Sequence, residues 1–134
     1  MGSGSPALRF SNPSGVYPPL GPYTHVVELS AGAGLLFVSG QIGIRPDGTV
    51  GAAIGEQADQ AFANVVELLA AHDLGISSLI KLTVFIVAGH DGEEVRKARV
   101  RHMGTHEPAS TTVYVSQLVR PEWLVEVEAI AAKP

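Results

Sequence analysis

The sequence contains no cysteine, which removes a disulfide framework, thiol catalysis and Cys-ligated zinc, and leaves the compartment open. It is also poor in charge. Asp, Glu, Lys and Arg make up 16% of its 134 residues, the net charge is −4, and Lys and Arg form no run. Nucleic-acid affinity rests on basic patches that meet phosphates, so no nucleic-acid partner is expected. No apolar run approaches the roughly 18 residues of a membrane span. The opening MGSGSPALRF has no charged-then-apolar signal pattern. No membrane partner is therefore expected, and the cytoplasm is the expected location.

Other absences concern chemistry. Ser39 in SGQIG lies in no G-x-S-x-G elbow, so a serine triad is unsupported. The glycines of AGAG and SGQIG form neither G-x-G-x-x-G at a strand–helix junction nor a P-loop, so nucleotide binding has no warrant. His102 and His106 are four apart, but Gly104 lies between them and no third ligand is apparent. A metal site needs three or four converging ligands, so none is expected.

What is abundant is apolar surface, at 46% hydrophobic residues. One domain of this length has much surface and little interior, and oligomerisation is one way to hide the excess. Prolines crowd the start: five of nine fall between Met1 and Pro22. Residues 1–19 are expected to be an irregular arm, and 20–134 a single domain. THVVELSAG and LLFVSGQIGI are β-rich and separated by AGAG, which suggests an antiparallel hairpin. RPDGT reads as a turn into a short strand, TVGA. Ala58, Phe62, Val65 and Leu69 then fall at helical spacing. SLIKLTVFIVAG is a near-continuous apolar run, as for a central strand covered on both faces. DGEEVRKARVRHMG reads as a second helix with acids first and bases last, matching the macrodipole. Two strands, TTVYVSQLV and LVEVEAIAA, follow. The expected class is α+β, with both helices on one face of a mixed sheet and nothing in the chain left to cover the other face.

The last strand poses a chemical question. Residues alternate sides along a strand, so Glu126 and Glu128 share a face with Leu124 and Ile130. Such a pair is either a solvated edge that discourages aggregation or one wall of a pocket where a carboxylate handles a proton or positions water.

Five segments in order carry a resemblance: GPYTH at Gly21–His25, LLFVSGQIG at Leu35–Gly43, IKLTVFI at Ile80–Ile86, PASTTVYV at Pro108–Val115 and VEVEAIA at Val125–Ala131. Together they resemble the Rid family, the reactive-intermediate deaminases or YjgF-like proteins, also labelled endoribonuclease L-PSP. The resemblance implies a chorismate-mutase-like fold, β-β-β-α-β-α-β-β, with a six-stranded sheet. Three copies would form a trimeric barrel with pockets between subunits. It also implies cofactor-independent hydrolysis of a small imine or enamine to a carbonyl product and ammonia. By the same resemblance Glu126, Tyr23 and Ser39 are the catalytic candidates, and Gly40, Ser110, Thr112, Arg96 and Arg99 the substrate-binding ones. Glu128 receives no role.

The chain departs from the family where deaminase members read PARS or PART. Here the clamping arginine is Ser110, and Arg96 and Arg99 replace an Asn and a Tyr of the second helix. Either those arginines supply the cation from another direction, or the ligand is not a carboxylate. The rival function is a non-catalytic metabolite-binding module using the same pocket. An endoribonuclease is disfavoured by the acidic balance.

Overall fold

The structure is a computed structural model, and it describes residues 8–134. The strands are β1 (Leu8–Ser11), β2 (Val26–Leu29), β3 (Gly34–Ile42), β4 (Leu79–Val87), β5 (Ala109–Val115) and β6 (Val125–Lys133). The helices are α1 (Ile54–Ala70) and α2 (Gly92–Met103), with a short 3-10 turn at Ile76–Ser78.

Four strands form the main sheet in the order β3-β6-β4-β5. β6 runs antiparallel to both neighbours, and β4 and β5 are parallel, joined by α2 as the crossover. Both helices pack on one face. Phe62, Val65 and Leu69 of α1 and Val95 and Met103 of α2 meet Leu82, Val84 and Ile86 of β4 and Val125 and Val127 of β6. These side chains follow the two periods read from the sequence, 3.6 on the helices and 2 on the strands.

Helix boundaries have local causes. Glu56 Oε1 accepts from the Ala53 N–H at 3.3 Å, satisfying a donor at the start of α1. Asp91 caps α2 by accepting from the Glu93 N–H at 2.9 Å, and Gly104, at φ +59°, ends it. Gln57 is an internal staple at 1% exposure. Its Nε2 donates to the carbonyls of Gly51 and Glu122 at 2.8 and 2.9 Å, and its Oε1 accepts from the Leu124 N–H at 2.8 Å. These bonds fix the entries to α1 and β6.

The single six-stranded sheet is not what forms. β2 does not make a hairpin with β3; it pairs antiparallel with β1, from Leu8↔Leu29 to Ser11↔Val26, as a separate two-stranded sheet. β3 instead aligns along β6, a partner of the same nine-residue length. Of the expected 1–19 arm, residues 1–7 lie outside the described part, and residues 8–19 contain the strand β1. TVGA contributes only the isolated bridge Ile44↔Val50. The RPDGT turn is as expected: Gly48 takes φ +90°, and its N–H donates to the Arg45 carbonyl at 2.8 Å.

β4 differs as well. Leu82, Val84 and Ile86 are buried beneath the helices, but Lys81, Thr83, Phe85 and Val87 on the other face are only half-buried. On that face lie also Leu35, 47% exposed, and Phe37, 71% exposed. Val125 and Val127 are buried; Val113 and Val115 belong to the open face and are not.

Candidate functional site

The sheet register sorts the candidate residues onto two sides. Ile42, Glu126, Phe85 and Val113 form one cross-strand row. Gln41, Val127, Val84 and Thr112 form the next, whose side chains point oppositely. Glu126 therefore stands on the open face, and Thr112 and Ser110 on the helix face.

On the open face β3 shifts register between Val38 and Gln41, and Ser39 and Gly40 occupy the irregularity. The Glu126 carboxylate lies directly over Gly40. A β-carbon at residue 40 would fall inside the carboxylate, so only glycine leaves it this seat. Among the described residues Glu126 has no ion-pair partner. Ser39 is exposed, and its carbonyl accepts from Gln41 Nε2 at 3.0 Å. Glu128 is exposed in the row of Thr83 and Thr111.

The helix-side group is organised around Arg99. This residue is only 7% exposed on α2. Its Nη1 donates to Ser110 Oγ at 2.9 Å and its Nη2 to the Pro22 carbonyl at 2.8 Å. No carboxylate pairs with it among the described residues. Burial pushes the guanidinium below its ordinary value, with Glu107 pulling the other way. It remains a cation in neutral solution. Arg96 differs: it is exposed and paired to Glu93, Nε to Oε1 and Nη2 to Oε2 both at 3.2 Å. Arg96, Arg99, Thr112 and Tyr114 line a cavity of about 350 Å³ between α2 and the β4–β5 edge, with Phe62, Val84, Ile86 and Val95 as apolar walls. The Tyr114 hydroxyl lies against the place where a β-carbon on Gly92 would stand, so a side chain there would displace it.

Tyr23 belongs to the segment that borders this group. Its neighbours anchor it: the Pro22 carbonyl holds Arg99, and the Thr24 N–H donates to the Pro108 carbonyl at 3.1 Å. The Tyr23 hydroxyl accepts from the Leu20 N–H at 3.1 Å, and its ring meets His25 edge-on at 5.6 Å. His102 and His106 serve separate structural partners, Asp59 Oδ1 and the Leu79 carbonyl, each at 2.9 Å.

One chain thus brings together Arg96, Arg99, Ser110 and Thr112, and separately Gly40 and Glu126, with a sheet between the two groups. The reading from sequence did not find the Arg99–Ser110–Pro22 contact, Tyr114 or Gly92. The one available signal was the coincidence of an arginine gained on α2 with an arginine missing from β5.

Relatives share this plan. A RutC family protein of Pyrococcus horikoshii is 32% identical over 117 residues, 86% of this chain and 90% of its own. TdcF of Escherichia coli, a putative reactive intermediate deaminase, is 31% identical over 118 residues, 85% and 88% of the two chains. Its crystal structure with bound serine superposes with a TM-score of 0.67 at 30% identity, covering 87% of this chain and 91% of that one. YyfB of Yersinia pestis, a protein of unknown function in the conserved Rid family, superposes with a TM-score of 0.80 at 26% identity, covering 93% and 98%. The family model described as Endoribonuclease L-PSP matches residues 15–133. The chain belongs to that family, the Rid or YjgF-like proteins.

Proposed function

We propose that the protein is a homotrimer whose pockets lie between subunits and hydrolyse a small imine or enamine to a carbonyl compound and ammonia. The observation that carries this reading is the Glu126 carboxylate seated on Gly40 without a cationic partner, a base held ready at an open sheet face. Its separation from Arg99 by the sheet supports the inter-subunit arrangement. A substrate touching both a cation and this carboxylate must lie between the Glu126 face of one copy and the β5 edge of another.

The chemistry is short. A water beside Glu126 gives a proton to the carboxylate while its oxygen attacks the C=N carbon, forming a carbinolamine. Glu126 returns the proton to nitrogen and then relays the hydroxyl proton to the same nitrogen, so that the C–N bond breaks and ammonia leaves as the C=O forms. An enamine first tautomerises to the imine. Tyr23 and Ser39 orient the substrate, Gly40 offers backbone polar groups, and Thr112 binds a substrate oxygen through its main chain. Water, a base and a cation suffice for this sequence, so it calls for no cofactor. The name of TdcF and its bound serine favour an amino-acid-derived substrate.

The test is ammonia release from freshly generated imines of several amino acids. The Glu126→Gln variant keeps shape and hydrogen-bonding capacity but loses the base, and turnover is expected to fall by about 10²–10⁴-fold. Equal turnover by the two proteins would leave Glu126 a solvated edge residue. Turnover by neither would favour the metabolite-binding module.

A further inference from the structure

We infer that Arg99 is the specificity-determining cation of the site, and that it selects carboxylates carrying a medium-sized apolar chain. The inference deepens the function proposed above and rests on it for the location of the reacting carbon.

Three features of the cavity lead there. The first is the unneutralised charge. Arg99 is more than nine-tenths buried, yet among the described residues its two recorded partners are the Ser110 hydroxyl and the Pro22 carbonyl, both uncharged. Glu107 acts on it only from beyond ion-pair distance, and a buried cation with no carboxylate in contact is costly, a cost that an arriving anion relieves. Second, the neighbouring cation is already occupied. Arg96 holds the Glu93 carboxylate with two hydrogen bonds at the exposed rim, so it offers an incoming anion much less. Ser110 itself has become the support of the cation: the oxygen that would otherwise be free to meet a ligand is bound to Arg99 Nη1. The charge lost from β5 has been replaced from α2.

The third feature is the composition of the walls. Phe62, Val84, Ile86 and Val95 present hydrocarbon to a volume of about 350 Å³, and the only polar side chains besides the arginines are Glu93, Thr112 and Tyr114. A chain of two or three carbons would leave much of that volume unfilled. A branched-chain or longer aliphatic group would bury its surface there. The substrate class is then the 2-imino acids derived from apolar amino acids, and the products are the matching 2-oxo acids.

Calorimetric titration of the intact protein with 2-oxobutanoate, 4-methyl-2-oxopentanoate and the methyl ester of the latter tests this. Each newly buried carbon is worth roughly a fourfold gain in affinity, so 4-methyl-2-oxopentanoate should bind about 15-fold more tightly than 2-oxobutanoate. The ester, lacking the negative charge, should bind about 10- to 100-fold more weakly than its acid. Arg99→Met, which keeps the stem and removes the charge, should lose the acid-over-ester preference. Equal binding of acid and ester by the wild-type protein, or no gain with chain length, would overturn the inference. Those wild-type comparisons decide it even if Arg99→Met does not fold. Binding that follows charge and chain length without ammonia release would remove the hydrolytic reading and keep this one.

Discussion

At residue 40 the absence of a side chain is what leaves the proposed base its seat. Gly40→Ala would push its methyl group into the Glu126 carboxylate, the mobile end of a long side chain, so the fold can absorb it while the base cannot keep its place. The expected outcome is a melting temperature close to wild type and ammonia release reduced nearly as far as in Glu126→Gln. An unaltered rate would mean that the seat is incidental. Ser110 makes the opposite case. Inserting the family's arginine by Ser110→Arg would set a second guanidinium against Arg99, whose Nη1 already lies 2.9 Å from Ser110 Oγ. Overpacking and like-charge repulsion together should lower stability by about 1–3 kcal/mol without improving 2-oxobutanoate binding. Urea unfolding and titration of the same sample check both halves, and tighter binding would show that the place of the clamp is still vacant.

Between elements, the α1–α2 contact carries a pH-sensitive tie. Asp59 Oδ1 on α1 accepts from Arg101 Nε at 3.1 Å and His102 Nε2 at 2.9 Å on α2. Partial burial pushes its carboxyl up, but the bonds from His102 and Arg101 outweigh this and bring it below the ordinary 3.8. A carboxylate depressed in the folded state adds stability above its unfolded value, and that contribution is lost as the pH falls through the folded one. Asp59 is about half exposed, so the effect is that of a surface pair, about 0.2–1 kcal/mol. Asp59→Asn should therefore be slightly less stable than wild type at pH 7, with the gap closing in acid below 3.8. Urea melts across that range measure it; a gap independent of pH would assign the contact to packing alone. The helices themselves were open to reading in advance because their signals are local: a capping Asp91, acids before bases, Gly104 at the end. The fate of β2 was not. A strand of four residues says nothing about whether β1 or β3 will pair with it.

For the whole molecule, the open face of the main sheet is the decisive surface. Phe37, Leu35 and Val113 are uncovered in the single chain while the opposite face is packed beneath two helices. Apolar side chains grouped on one sheet face mark an association surface, and a trimer would cover them. Phe37→Glu should leave each subunit folded, since residue 37 touches little of its own core, and should shift the protein from trimer to monomer in light scattering. Activity should fall with it, because the proposed pocket needs two subunits. A wild-type monomer at micromolar concentration would remove both the assembly and the pocket.

The alternation of LVEVEAIAA determined that Glu126 and Val127 face opposite ways, and the spacing from Ala58 to Leu69 determined which side of α1 is buried. Both follow from the geometry of a single element. Five short motifs in order carried the resemblance to the family, and the family model matches residues 15–133. What only the tertiary structure decided is where the cation stands. Arg99 and Ser110 are eleven residues apart, on a helix and a strand, and their contact depends on the crossover from α2 into β5. Nothing in either segment states it. The two substitutions, an arginine gained on α2 and one missing from β5, are visible in the sequence, but that they meet is not, because a motif records position along the chain and a contact depends on position in space.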